Sequence, residues 1–176
     1  MDFLMRNILV LVCLFPLAGV PIILLIPRGK GSDETVKWAA NIVAFLGFLI
    51  SLALITLFNR PEFIDAATGM RFVVRKEWIN AIGADFYFGI DGISLLLILL
   101  TTLLGFISIL SSWSAITERV REYYCYFLLL QTGMLGVFMA LDFVLFYVFW
   151  EVMLVPMYFI IGVWGGPRRL YAAIKF

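Results

Sequence analysis

One acidic residue sits where acids are rarely found. Glu151 is the ninth residue of an apolar run of 21, Phe143–Val163. Placing a charge at the middle of a bilayer costs on the order of 2.5–3.5 kcal/mol, so such residues turn toward a protein interior or a wet cleft and mark ion or proton paths. At helical spacing Tyr147 lies one turn before Glu151 and Tyr158 two turns after it, on the same face. Two hydroxyls flanking a carboxyl suit ordered water. Pro156 has no N–H to give the carbonyl of Val152, which leaves a backbone acceptor beside the acid. The chemistry these types suggest is proton uptake and release. The plain alternative is a protonated acid that only ties two helices together, with the tyrosines as packing and Pro156 as a kink.

Desolvation favours a neutral carboxyl, whereas a lysine nearby favours the ionised form. A lysine that moves or changes charge therefore makes the acid load or release its proton. No complete apolar run contains one; Lys175, in the last short run, is the tentative candidate. Asp142 precedes the run of Glu151 and reads as the N-cap of its helix, with a proton exit as the lesser reading. Gln131 and Thr132 accompany Gly133 and Gly136, a composition suited to close helix packing. Arg28-Gly29-Lys30-Gly31 follows no strand and opens no phosphate-binding helix. The chain has no histidine, which removes histidine-ligated haem or iron and histidine acid–base chemistry from what it supplies alone. Cys13 and Cys125 are far apart, show no metal-ligand spacing and read as small packing residues. No redox cofactor, metal or nucleic acid is expected on this chain.

The elements that hold these residues must cross a membrane. The chain has 176 residues, 64% apolar and 14% charged, against about 45–50% and 25% for soluble domains. A bilayer core takes about 20 apolar residues per helix. Five runs fit: Ile8–Ile26, Trp38–Phe58, Ile93–Trp113, Tyr123–Ala140 and Phe143–Val163, with a sixth begun at Leu170–Phe176. This predicts an all-α, polytopic transmembrane bundle, and the short last run suggests a piece of something longer. Between the second and third runs lies a polar segment, about 59–92. There Phe63–Ala66, a turn at Thr68-Gly69 and Arg71–Arg75 read as an extramembrane β-hairpin. Trp78, Phe86, Tyr87 and Phe88 read as interfacial aromatics, and Asp91 as the next helix's N-cap. Five cations (Arg6, Arg60, Arg71, Arg75, Lys76) fall on one side and eight (Arg28, Lys30, Lys37, Arg119, Arg121, Arg168, Arg169, Lys175) on the other. Positive residues collect inside, so the N-terminus is expected outside.

Two stretches resemble a known family. Phe86-Tyr87-Phe88-Gly89-Ile90-Asp91-Gly92-Ile93-Ser94 is similar to the segment before the third helix of antiporter-like subunits of respiratory complex I. Leu141 through Tyr158, then Trp164-Gly165-Gly166 and Arg169 to Phe176, resemble the chain 4 (subunit M) family of proton-pumping NADH-quinone oxidoreductase. The resemblance implies about fourteen spans with two inverted five-helix repeats. Residues 1–122 would be the first three helices and 123–176 the opening of the first repeat. It implies that Glu151 pairs with a lysine on a later broken helix, and that NADH, flavin, iron–sulfur clusters and quinone belong to other subunits. The partners would be other complex I membrane subunits and the lipid bilayer, in a bacterial-type inner membrane. A cation/proton antiporter subunit and a non-catalytic membrane scaffold are the rival readings.

Overall fold

The structure is a computed structural model and describes residues 7–29 and 31–176. Six α-helices and one two-stranded sheet are present among these: α1 (Ile8–Leu25), α2 (Ser32–Leu57), β1 (Arg71–Ile79), β2 (Ala84–Ile90), α3 (Gly92–Ala115), α4 (Val120–Met139), α5 (Phe143–Trp164) and the short α6 (Arg169–Lys175). Four of them, α1, α2, α3 and α5, are long and apolar enough to cross a membrane. The expected fourth span forms α4, but it does not reach the hydropathy of the others. Its position explains why. α4 packs against α1, α2, α3 and α5, so protein rather than lipid surrounds it, and Tyr124, Gln131 and Thr132 are buried there. Hydropathy reports contact with lipid, and a central helix has little.

The apolar core falls into two halves. One gathers Leu9, Leu54, Phe88, Ile98, Leu135 and Leu145; the other gathers Ile23, Ala40, Ile109, Tyr124 and Leu128. Between them lies a polar layer. The Ser51 and Thr102 hydroxyls bond at 2.8 Å between α2 and α3. One turn beyond Thr102, Gly105 receives the Gln131 carboxamide, so closely that a Cβ there would lie 2.6 Å from Nε2. Gln131 is wholly buried, and neither of its amide atoms has a protein partner.

The hairpin forms, and Arg71–Arg75 is one of its strands as expected, but its partner is not Phe63–Ala66. β1 pairs with β2, in register Val74↔Phe88, Arg75↔Tyr87 and Glu77↔Asp85. The expected pair Phe63–Ala66 and Arg71–Arg75 survives only as a bridge between Ile64 and Arg71, around a turn in which Asp65 accepts from the Thr68 N–H. The missed signal is alternation in Ala84-Asp85-Phe86-Tyr87-Phe88-Gly89-Ile90. Its even-numbered side turns to the bundle, with Phe88 at 1% and Ile90 at 0% exposure. Burying Phe88 as core gains more than leaving it at an interface. Trp78 stays exposed near the turn.

Helix C-termini leave carbonyls unsatisfied, and here cations from elsewhere in the chain satisfy them. Arg121 donates to Ile26 O of α1 at 2.6 Å, and Arg71 to Phe58 O of α2 at 2.9 Å. Lys37 donates to Trp113 O of α3 at 2.6 Å, and Arg169 to Val163 O of α5 at 2.6 Å. The cations counted for orientation are thus partly structural. Arg6 and Lys30 of that count lie outside the described residues.

Candidate functional site

α5 is set by one carboxylate at its start and two glycines along its flank. Asp142 Oδ1 accepts from the N–H groups of Val144 and Leu145 at 2.9 and 3.0 Å, as an N-cap does. Its Oδ2 takes the Asp85 N–H of β2 at 3.4 Å. These donors, the Leu145 N–H foremost, hold the Asp142 carboxyl below the usual aspartate range. The Leu141 N–H also donates to Tyr87 O at 2.8 Å, so β2 is stitched to the α4–α5 turn.

Further along, Gly133 of α4 meets the backbone of Met153; a Cβ there would lie 3.0 Å from the Met153 nitrogen. Gly136 meets the Phe149 ring still more closely. Phe149 and Met153 therefore face α4. Each helical residue turns about 100°, so Glu151, two residues from both, must point away. It does: Glu151 is exposed on the outer face of α5.

Glu151 is therefore not enclosed by the described residues of this chain. Glu151 stands on the side of α5 turned away from α4 and its buried Gln131. Tyr147 (55% exposed) and Tyr158 (44%) share its face, Tyr147 one turn before the acid. Pro156 is buried on the bundle side. Lys175 is exposed on α6, its ammonium 5.9 Å from the Tyr171 ring centre. The structure does not bring it to Glu151. Among the described residues the ion pair within 4 Å is Arg75–Asp85, at 2.7 Å on the hairpin. Nor do the described residues hold a cluster of three or more groups able to ligate a metal.

With Phe143, Trp150 and Val155, the acid and its two tyrosines make a continuous exposed stripe along α5. Leu145 and Pro156 are the buried residues of this 22-residue helix. An apolar stripe with an acid at its centre is a surface built to be covered.

Comparison with known proteins identifies the scaffold. Residues 63–141 match the model for the amino terminus of NADH-ubiquinone oxidoreductase chain 4, and residues 140–176 that for the membrane part of NADH:quinone oxidoreductase and Mrp antiporters. NADH-quinone oxidoreductase subunit M of Rhodobacter capsulatus is 44% identical over 98% of this chain and 32% of its own length. The chain belongs to the chain 4, or subunit M, family. Another member, F(420)H(2) dehydrogenase subunit M of Methanosarcina mazei, is 42% identical over 75% of this chain and 26% of its own. Respiratory complex I from Thermus thermophilus with bound NADH contains a chain that superposes with a TM-score of 0.74 at 26% identity, covering 95% of this chain and 31% of that one. The chain thus spans about a third of the length of the family members it matches. It is an integral membrane protein of antiporter-like fold, similar to subunits of multi-subunit respiratory complexes.

Proposed function

We propose that this chain is the N-terminal portion of a proton-translocating membrane subunit of an NADH-quinone oxidoreductase, and that Glu151 is its proton carrier. The observation that carries the reading is the position of Glu151. It is the ninth of 22 residues in a membrane-spanning helix, held by the Asp142 cap and the Gly133/Gly136 seat. Its face is one that this chain leaves open.

A carboxyl there works as a carrier when a basic group opposite it can come and go, because an ionised acid at mid-membrane is stabilised only by a partner charge or water. Tyr147 one turn before the acid, with Tyr158 two turns on, supplies hydroxyls that hand a proton along. Residues 123–176 then open the first antiporter-like repeat, and the lysine partner comes from a later helix. Lys175 on α6 is a candidate for the next step of the path rather than the direct partner. NADH, flavin, iron–sulfur and quinone chemistry belongs to companion subunits. The existence of an F(420)H(2)-named relative fits this division, since the membrane part is kept while the named electron donor differs. The chain lies in a bacterial-type inner membrane with its N-terminus outside.

The test is Glu151→Gln in the full-length protein within its assembled complex. Oxidation of the electron donor coupled to vesicle acidification should lose most of its proton yield while the complex still assembles. Normal stoichiometry overturns the assignment. A second reading, a monovalent cation/proton antiporter subunit, is favoured by the shared description of the model matching 140–176. Donor-independent sodium transport in vesicles would select it.

A further inference from the structure

Pro156 divides α5 into two parts that need separate anchors. Its ring nitrogen has no hydrogen to give the Val152 carbonyl, so one rung joining residues 143–155 to residues 157–164 is missing. The outer part is set by the Asp142 cap and by the seat of Phe149 and Met153 on α4. The inner part has an anchor of its own in Trp164, the last residue of the helix. The Trp164 indole N–H donates to Glu118 O, in the turn before α4, at 2.8 Å. Its ring stands edge-on to Tyr123 at 5.3 Å, and the Tyr123 hydroxyl is hydrogen-bonded to Ser112 of α3 at 2.9 Å.

From this anchor a file of rings runs to the face of the acid. Trp164 meets Tyr126 of α4 with centroids 6.4 Å apart. Tyr126 stacks on Phe159 at 5.0 Å and 14°, and Phe159 holds the Tyr158 ring edge-on at 5.5 Å. Aromatic pairs at such separations attract and favour particular mutual orientations, so each ring limits the next. Tyr158 ends the file two turns beyond Glu151, on its face. We propose that Tyr126 and Trp164 are positioning residues for the proton path. They hold the inner part of α5 so that the Tyr158 hydroxyl stays in line with the Glu151 carboxyl. The inference rests on the proton-carrier reading of Glu151 and names what aligns the next group along its face. Neither residue touches the acid. A turn of residues 157–164 about the Pro156 joint would carry Tyr158 off that face. A proton is handed on only between groups linked by hydrogen bonds or bridging water.

The test uses the full-length protein in its assembled complex, with 3-fluorotyrosine at position 158 read by fluorine NMR. Proton yield per donor oxidised is read in vesicles. Tyr126→Leu removes the stacked ring, and Trp164→Phe removes the indole N–H. Both should shift the fluorine line of Tyr158 and lose much of the proton yield, while donor oxidation in uncoupled vesicles stays unchanged. Tyr126→Phe, which keeps the ring, should match the wild type in both. Tyr158→Phe should lose yield as well. Combining it with Tyr126→Leu should lose no more than Tyr158→Phe alone, because both act through one hydroxyl. Full yield in Tyr126→Leu and Trp164→Phe overturns the proposal, as does an unmoved fluorine line or an additive loss in the double variant. Normal stoichiometry in Glu151→Gln, with the fluorine shifts as expected, ends the carrier reading and leaves the ring file as an anchor of α5 alone.

Discussion

At the scale of single residues, the polar groups of the bundle sort by whether they have found partners. Gln131 has not: its carboxamide is buried against Gly105 with no protein acceptor or donor. An unpaired buried polar group costs about 1–3 kcal/mol, whereas an apolar group of similar shape costs little. Gln131→Leu should therefore leave the thermal midpoint unchanged or raise it, as followed by a melting assay in detergent. A fall of several degrees would mean that the amide holds a water. Asp142 is the opposite case, with three backbone donors on one carboxylate. Because its folded carboxyl titrates below the unfolded one, its contribution is complete above the ordinary aspartate range and fades as pH falls through the folded value. Asp142→Ala should lower the melting temperature at pH 7 and narrow the gap to wild type at pH 3. Asp142→Asn, which keeps an acceptor, should cost less. The sequence made Asp142 legible because a cap is a local pattern. The cation-to-carbonyl bonds were not legible, since Lys37 meets Trp113 and Arg121 meets Ile26 only once the helices are side by side.

At the scale of elements, the seat of α5 on α4 decides where Glu151 points. Gly133 faces backbone, which cannot yield, and Gly136 faces the Phe149 ring. Gly133→Val should push α5 outward and cost stability of roughly 1–3 kcal/mol, the range for overpacking, measured by chemical denaturation. In the full-length protein it should also lower proton yield without touching the acid; an unchanged yield would show that the seat does not position Glu151. Five of the helices were legible from apolar runs alone, because length and hydrophobicity suffice to define a span. Four match a lipid-facing helix in composition. α4 differs because a central helix trades lipid contact for Tyr124, Gln131 and Thr132 in protein contact. The hairpin was legible as a turn-rich polar segment, but its pairing was not. Phe63–Ala66 and Ala84–Ile90 both carry strand-forming residues, and only the bundle top, which buries Phe88 and Ile90, chooses between them.

At the scale of the whole molecule, helices, hairpin and capping cations form one connected body among the described residues, with the outer face of α5 exposed as the outer faces of α2 and α3 are. Where Glu151 points was beyond the sequence because it depends on what α4 already occupies. The family scaffold was legible from Leu141–Tyr158 and is the part that comparison shows most plainly. The stitching of β2 to the α4–α5 turn carries a mechanical consequence. Tyr87 O, the Asp85 N–H and the Phe88 ring all grip the first turns of α5 or the turn before it, the Phe88 and Phe149 rings lying 5.7 Å apart. A tug on the hairpin is therefore a tug on the helix bearing the acid. An antibody fragment or neighbouring protein that clasps the sheet has a lever that reaches the middle of the bilayer without entering it.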